Sequence, residues 1–74
     1  MPLINVKVIA GVFSEAQKTQ IATALTDAMV QIEGEALRPY TFCIVEEVKS
    51  GDWVVGGRPI TTADVKPIAV QKVA

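Results

Sequence analysis

Proline directly follows the initiator methionine, and this placement makes Pro2 the residue of the chain best suited to proton-transfer chemistry. Removal of Met1 would expose the ring nitrogen of Pro2 as a secondary amine. An α-amino group has a reference pKa of about 7.7–8.0, and burial or a nearby cation lowers that pKa. Such a base suits proton abstraction next to a carbonyl near neutral pH, and the chain contains no histidine for this task. A purely structural interpretation is also open, because proline is tolerated at the first position of a strand.

The other reactive residue types do not form a comparable site. Cys43 lies in an apolar stretch, and we interpret it as a small hydrophobic residue and not as a nucleophile. Glu46 and Glu47 are adjacent in a predicted strand, so their side chains point to opposite faces and cannot act as a pair. One cysteine without any histidine argues against a zinc site. We therefore expect no metal and no organic cofactor.

The size and composition of the chain restrict what can position such a group. Its 74 residues form one domain, residues 1–74, and half of them are hydrophobic. No apolar run approaches the roughly 20 residues that span a bilayer, and the dispersed charges, net -1, argue against a nucleic-acid partner. A domain of this length is marginal alone, and one cysteine excludes an internal disulfide. We therefore expect a homo-oligomer, and, without a leader or paired cysteines, a cytoplasmic one.

Two strands and one helix are predicted in the first two thirds of the chain. Leu3 to Ala10 is rich in Val and Ile and alternates as a strand does. Ser14 and Gln17 have the spacing of a capping box, which predicts a helix from Ser14 that Gly34 ends in the left-handed conformation. Its predicted apolar face consists of Ile21, Leu25, Ala28, Met29 and Ile32. Pro39 is expected to block helical continuation.

A second strand over Tyr40 to Val48 completes a parallel, right-handed β-α-β unit. Its apolar first half predicts burial on both faces. The Gly56–Gly57 pair predicts a tight hairpin. Thr61 or Thr62 is expected to cap a short final helix, which Pro67 would limit to about one turn. The last residues, 69–74, are compatible with a tail, a strand or an interface. The predicted fold class is α/β (α+β): a β-α-β protomer with a short C-terminal β-hairpin, assembled symmetrically because its sheet edges and one sheet face lack cover.

The order of these features resembles the 4-oxalocrotonate tautomerase family of the tautomerase superfamily. The matching stretches are PLINVKVIAG, SEAQKTQIATALTDAM, IVEEVKSGDW and VVGG, roughly residues 2 to 60. The resemblance implies a β-α-β protomer, usually in a hexamer, with a trimer or dimer also possible. It also implies that the amino-terminal proline, here Pro2 after Met1 removal, acts as a general base.

The chain departs from the family pattern in its arginines. Val12 and Phe42 stand where the family's type enzyme carries arginine, and only Arg38 and Arg58 are present. Either could hold a substrate carboxylate through a bidentate pair from a neighbouring subunit. Arg38 is the first choice, because Leu37 and Pro39 indicate an ordered turn around it. Trp53 aligns with the family's active-site aromatic, although it could equally fill a gap between subunits.

The leading hypothesis is therefore a cofactor-independent tautomerase that acts on 2-oxo or enol carboxylic acids, with Pro2 as base. An alternative activity within the superfamily is that of a hydratase, dehalogenase or decarboxylase of short unsaturated or oxo acids, in which protonated Pro2 acts as an acid. A reading of another class is a non-catalytic oligomeric assembly module, which the missing arginines favour. The sequence leaves open the physiological substrate and the arginine that binds it.

Overall fold

A parallel β-α-β unit forms most of the protein, as predicted. The computed structural model describes residues 1–69. Strand β1 spans Leu3–Ile9, helix α1 spans Glu15–Glu33 and strand β2 spans Phe42–Val48. The strands pair in parallel, with Leu3 opposite Phe42 and Ile9 opposite Val48. The amino ends of both strands therefore lie together at one end of the sheet, and their carboxyl ends lie at the other.

The connection from α1 to β2 differs from the prediction in two respects. Residues Glu35–Tyr40 form a 3₁₀ helix that contains Pro39, so this proline does not prevent helical structure. Strand β2 consequently begins at Phe42 and not at Tyr40. A 3₁₀ helix of this length needs few internal N–H donors, so the missing N–H of proline is tolerated.

The predicted capping box starts α1. The Gln17 N–H donates to Ser14 Oγ at 3.1 Å, and the Ser14 N–H donates to Gln17 Oε1 at 2.9 Å. Gly34 ends the helix, and its N–H donates to the Val30 carbonyl at 2.8 Å. Its φ of 104° is positive, but its ψ of 150° lies outside the left-handed helical region that was predicted. Glycine is still required there, because other residues rarely adopt this φ.

The helix face that packs on the sheet agrees only in part with the predicted apolar face: Ile21 and Met29 are half-buried, but the other three residues are exposed. Leu25 is 36% exposed and Ile32 is 86% exposed, whereas Val30 is 4% exposed. The sheet-facing row consists of positions four residues apart: Lys18, Ala22, Thr26 and Val30. An apolar stripe, which we define as Ile21, Leu25, Ala28 and Ile32, therefore runs along the side of α1 and is incompletely covered in the protomer.

A hairpin and a second helix complete the described chain. Strands β3 (Trp53–Val55) and β4 (Arg58–Ile60) pair antiparallel around Gly56 and Gly57. Both glycines have positive φ, 58° and 83°, as the tight turn requires. The hairpin prediction is thus confirmed.

Helix α2 (Thr62–Ala69) is longer than predicted. Pro67 lies inside this helix, so it removes one backbone hydrogen bond without ending the helix. Thr61 caps it: the Asp64 N–H donates to Thr61 Oγ1 at 3.2 Å, and the Thr61 N–H donates to Asp64 Oδ2 at 3.0 Å. The Thr62 hydroxyl donates to the Ala10 carbonyl, which docks α2 at the carboxyl end of β1. Residues 70–74, part of the segment left open above, lie outside the described residues.

Little of the protomer is fully buried. Among residues 1–69, only Ile9 and Val30 form a buried hydrophobic core. The sheet face opposite α1 exposes Leu3, Phe42 and Ile44, so the burial of β2 on both faces that was predicted is not reached within one protomer. No helix within residues 1–69 combines the length and hydropathy needed to cross a membrane.

Candidate active site

Pro2 is fixed at the amino end of the sheet. Its carbonyl accepts a hydrogen bond from the Phe42 N–H at 3.1 Å, which ties it to the start of β2. Pro2 is half-buried, whereas Met1 is 83% exposed. The missing N–H of proline costs no ladder bond at this position before β1. Strand pairing at the carbonyl therefore fixes the position of Pro2 relative to the start of β2.

Arg38 lies just before β2, at the same end of the sheet as Pro2, but its guanidinium is already bound. Its Nε donates to Glu35 Oε1 at 2.6 Å, and its Nη1 donates to Asp27 Oδ1 at 2.9 Å. The Glu35 and Asp27 carboxylates together raise the pKa of Arg38 above its ordinary value. The arrangement joins the 3₁₀ helix to α1. Arg38 therefore has the position expected of a substrate-binding residue, but it also has a structural role as an ion-pair partner.

Trp53 and Arg58 lie on one face of the hairpin. Trp53 is paired with Ile60, and Val55 is paired with Arg58. Because paired residues share a face and alternate residues along a strand point the same way, all four side chains lie on the same side. We refer to the cleft on this side as the hairpin cleft: a cavity of ≈ 300 Å³ lined by Ile9, Trp53, Val55, Ile60 and Val65. The structure thus joins two of the predicted site residues.

The hairpin cleft and Pro2 lie at opposite ends of the sheet. Ile9 ends β1, and Pro2 precedes its first residue, Leu3. A strand rises about 3.3 Å per residue, so the seven residues of β1 separate the two ends by about 20 Å. Within one protomer, Trp53, which lines the cleft with Ile9, therefore lies too far from Pro2 to contact a substrate bound there.

The two adjacent glutamates of β2 point to opposite faces, as predicted. Glu46 accepts hydrogen bonds from Asn5 at 2.6 Å and Lys7 at 3.2 Å, and these bonds lower the pKa of Glu46. Glu47 accepts from Lys18 on α1 at 3.0 Å. Lys18 and the Gly11 N–H lower the pKa of Glu47. Both carboxylates are engaged in contacts between elements, and neither lies with the other.

Some residues of these sites were not identified from the sequence. The sequence analysis does not identify the cleft residues Val55, Ile60 and Val65. The two-residue turn could have indicated the first two, because it places alternate residues of both strands on the face of Trp53. The spacing of Glu35 and Arg38 is that of a helical ion pair. The partner Asp27 has no comparable local signal, since it meets Arg38 only through the packing of α1 against the 3₁₀ helix.

Comparison with known proteins identifies the class to which this fold and site belong. The family model described as "Tautomerase enzyme" matches residues 2–63. The chain therefore belongs to the tautomerase family. No curated protein matches it.

Two solved structures share the fold. The crystal structure of apo unfused 4-OT has a TM-score of 0.70 and 23% identity, and the match covers 80% of this chain and 93% of that chain. DmpI from Helicobacter pylori has a TM-score of 0.67 and 25% identity, and the match covers 97% of this chain and 100% of that chain. Both similarities bear out the tautomerase-like β-α-β architecture.

Proposed function

We propose that the chain is a cofactor-independent tautomerase that moves a proton between enol and keto forms of 2-oxo carboxylic acids. Pro2 is the general base, once Met1 has been removed. The observation that carries this proposal is the family match, which begins at Pro2, on a fold that holds this residue through its carbonyl. The nitrogen accepts the proton of the enol hydroxyl and returns it to carbon, so no net charge is gained.

The active site is shared between protomers. Pro2 lies about 20 Å from the hairpin cleft of its own chain, so a neighbouring subunit supplies the cleft. A cation and an aromatic wall near the amine would lower its pKa and keep it unprotonated near neutral pH. Of the two arginines, Arg38 is bound to Glu35 and Asp27, while Arg58 is exposed on the face of the cleft.

The protein is proposed to act as a homo-oligomer, with a hexamer favoured. Two exposed apolar surfaces support this: the open sheet face and the helix stripe defined above. The stripe suits an antiparallel pair of α1 helices around a two-fold axis between residues 26 and 27. Ile21 then lies opposite Ile32 of the second copy, and Leu25 lies opposite Ala28. A groove of ≈ 250 Å³ beside Ile21, lined by Phe13, Gln17, Gln20 and Ala24, can receive the protruding Ile32.

Replacing Ile32 with aspartate is expected to weaken the assembly. Burying one isoleucine contributes about 1.5–3 kcal/mol, and a two-fold pair contains two of them, so the dissociation constant should rise about 10²- to 10⁴-fold. Analytical ultracentrifugation over a concentration series measures this change. Gln31→Asp introduces the same charge on an exposed neighbouring position outside the stripe and serves as the control. Equal association of Ile32→Asp and wild-type protein would rule out this helix pairing.

The catalytic proposal is tested by measuring intact mass and turnover on the same preparation. Retained Met1 would convert the Pro2 nitrogen into an amide without basicity. Turnover of phenylenolpyruvate is therefore expected to scale with the fraction of chains that lack methionine. Chains that all retain methionine in their native source would support the non-catalytic assembly module instead. Full turnover by methionine-bearing protein would exclude Pro2 as the base.

A further inference from the structure

The hairpin cleft has the size and lining of a small-ligand pocket. Its ≈ 300 Å³ lies at the lower end of the range for such sites, about 300–1,000 Å³. All five lining residues are apolar, and Trp53 supplies an aromatic surface. A cavity of this kind favours a compact apolar group, and an aromatic ring can stack on the indole or meet it edge to face.

One cation stands beside this apolar cavity. Arg58 lies directly across the strand pair from Val55, at the turn end of the same hairpin face. It is exposed, and within residues 1–69 its guanidinium forms no ion pair with a carboxylate. Arg58 therefore remains able to receive a carboxylate in the bidentate geometry that arginine favours.

One carboxylate within electrostatic reach of Arg58 is that of Asp64. Hydrogen bonds from the Thr61 N–H and hydroxyl, and more weakly the charge of Arg58, lower the pKa of Asp64. The Asp64 carboxylate is thus ionised and lies within the electrostatic reach of Arg58, yet it is committed to the cap of α2. The negative charge of Asp64 also disfavours a ligand that brings a second carboxylate into this region.

We propose that the hairpin cleft selects aryl monocarboxylates: the carboxylate binds Arg58 at the rim, and the ring enters the cavity against Trp53. A dicarboxylate would place its second charge in the apolar cavity, where no described side chain can pair with it, and such burial is costly. This inference rests on the proposed function for the identity of the reaction, and it adds the substrate class.

The chemistry of such a substrate fits the shared site. In an arylpyruvate enol, the two carbons between carboxylate and ring are those that exchange the proton. With the carboxylate on Arg58 and the ring in the cleft, these carbons lie at the mouth of the cavity. Pro2 of a neighbouring subunit would have to reach these carbons from outside the cavity, whose lining consists only of apolar side chains. A short aliphatic dicarboxylate has no group that fills the cavity.

The test is a binding titration that does not depend on turnover. Trp53 is the only tryptophan, so its fluorescence reports on occupation of the cleft. The probes are 3-phenylpropanoate, which has no keto group to enolise, and adipate, at equal ionic strength. We expect saturable quenching by 3-phenylpropanoate, with affinity at least about 10-fold above that of adipate. Because 3-phenylpropanoate cannot enolise, this titration measures binding in the cleft separately from the catalytic role of Pro2.

Variants of Arg58 complete the test. Arg58→Gln is expected to weaken 3-phenylpropanoate binding about 10- to 100-fold, the usual range for hydrogen bonds to a charged group. Arg58→Lys should retain part of the affinity, and Lys49→Gln, which removes an exposed cation at the preceding turn, should retain all of it. Absence of saturable binding, equal affinity for the two acids, or full affinity in Arg58→Gln would each overturn the inference. Turnover that persists alongside any of these results would leave the tautomerase proposal intact.

Discussion

Replacing Pro2 with alanine is expected to lower the turnover of phenylenolpyruvate by about 10²-fold, because the primary amine that remains is no longer held in the reactive direction, and misplacement of a catalytic group can cost this much. The substitution keeps the backbone carbonyl that accepts from Phe42, so the strand pairing at this end of the sheet is retained. It removes the ring that fixes the direction of the nitrogen lone pair. Steady-state kinetics measures the effect, and ultracentrifugation should show unchanged assembly.

A matched control is available in the second strand of the hairpin. Pro59→Ala makes the same chemical change at an exposed position paired with Val54, on the face of the hairpin away from Trp53 and Arg58. It should leave turnover within about two-fold of wild type, as surface substitutions usually do. Wild-type turnover in Pro2→Ala would count against a catalytic role for the proline ring.

The pH dependence distinguishes a base from an acid at the same nitrogen. If Pro2 acts as a base, kcat/KM rises with pH through the pKa of the free amine, which has a reference value of about 7.7–8.0 and falls near a cation. If protonated Pro2 acts as an acid, as in the hydratase or decarboxylase reading, activity falls over the same interval. An activity decreasing with rising pH would therefore transfer support to that alternative.

Several elements of the secondary structure follow from local signals in the sequence. The capping box of Ser14 and Gln17 and the Gly56–Gly57 turn each depend on residues only a few positions apart, and the structure bears both out. The opposite placement of Pro2 and Trp53 also follows from the parallel β-α-β connection. The first strand starts beside Pro2, and the hairpin follows the far end of the second.

The orientation of α1 required tertiary information. The positions that pack on the sheet hold small or partly polar side chains such as Ala22 and Thr26, whereas the larger Leu25 and Ile32 point away. A ranking of residues by hydrophobicity therefore selects the apolar stripe and misses the row that faces the sheet. This outcome is expected of a protomer whose largest apolar residues serve contacts between subunits, because such contacts impose the same demand on sequence as a core does.

The availability of the arginines also depended on packing between elements. From the sequence alone, Arg38 is the preferred carboxylate ligand, because Leu37 and Pro39 indicate an ordered turn around it. Its contact with Asp27 forms across the junction of α1 and the 3₁₀ helix, and no local pattern indicates it. Arg58, by contrast, gains its place beside the cleft from the hairpin register, in which it faces Val55.

Combining Pro2→Ala and Arg58→Gln subunits in one assembly is expected to restore turnover that neither variant has alone. Pro2 lies at the amino end of β1, and the hairpin that carries Arg58 follows the other end of the sheet, with about 20 Å along β1 between the two ends. In the proposed shared site, Pro2 comes from one subunit and Arg58 from another. Equal, random co-assembly gives about a quarter of the sites both intact groups, so about a quarter of wild-type turnover should return.

Co-expression with two affinity tags and tandem purification isolates the mixed assemblies. A mixture of Pro2→Ala with Lys49→Gln subunits serves as the reference and should show about half of wild-type turnover, because only Pro2 then limits the number of active sites. If both groups served the same site from one chain, every mixed assembly of Pro2→Ala and Arg58→Gln would remain as inactive as its parents. The recovered fraction thus decides between a shared site and a site within one protomer, and the separation of the two ends of β1 favours the shared one.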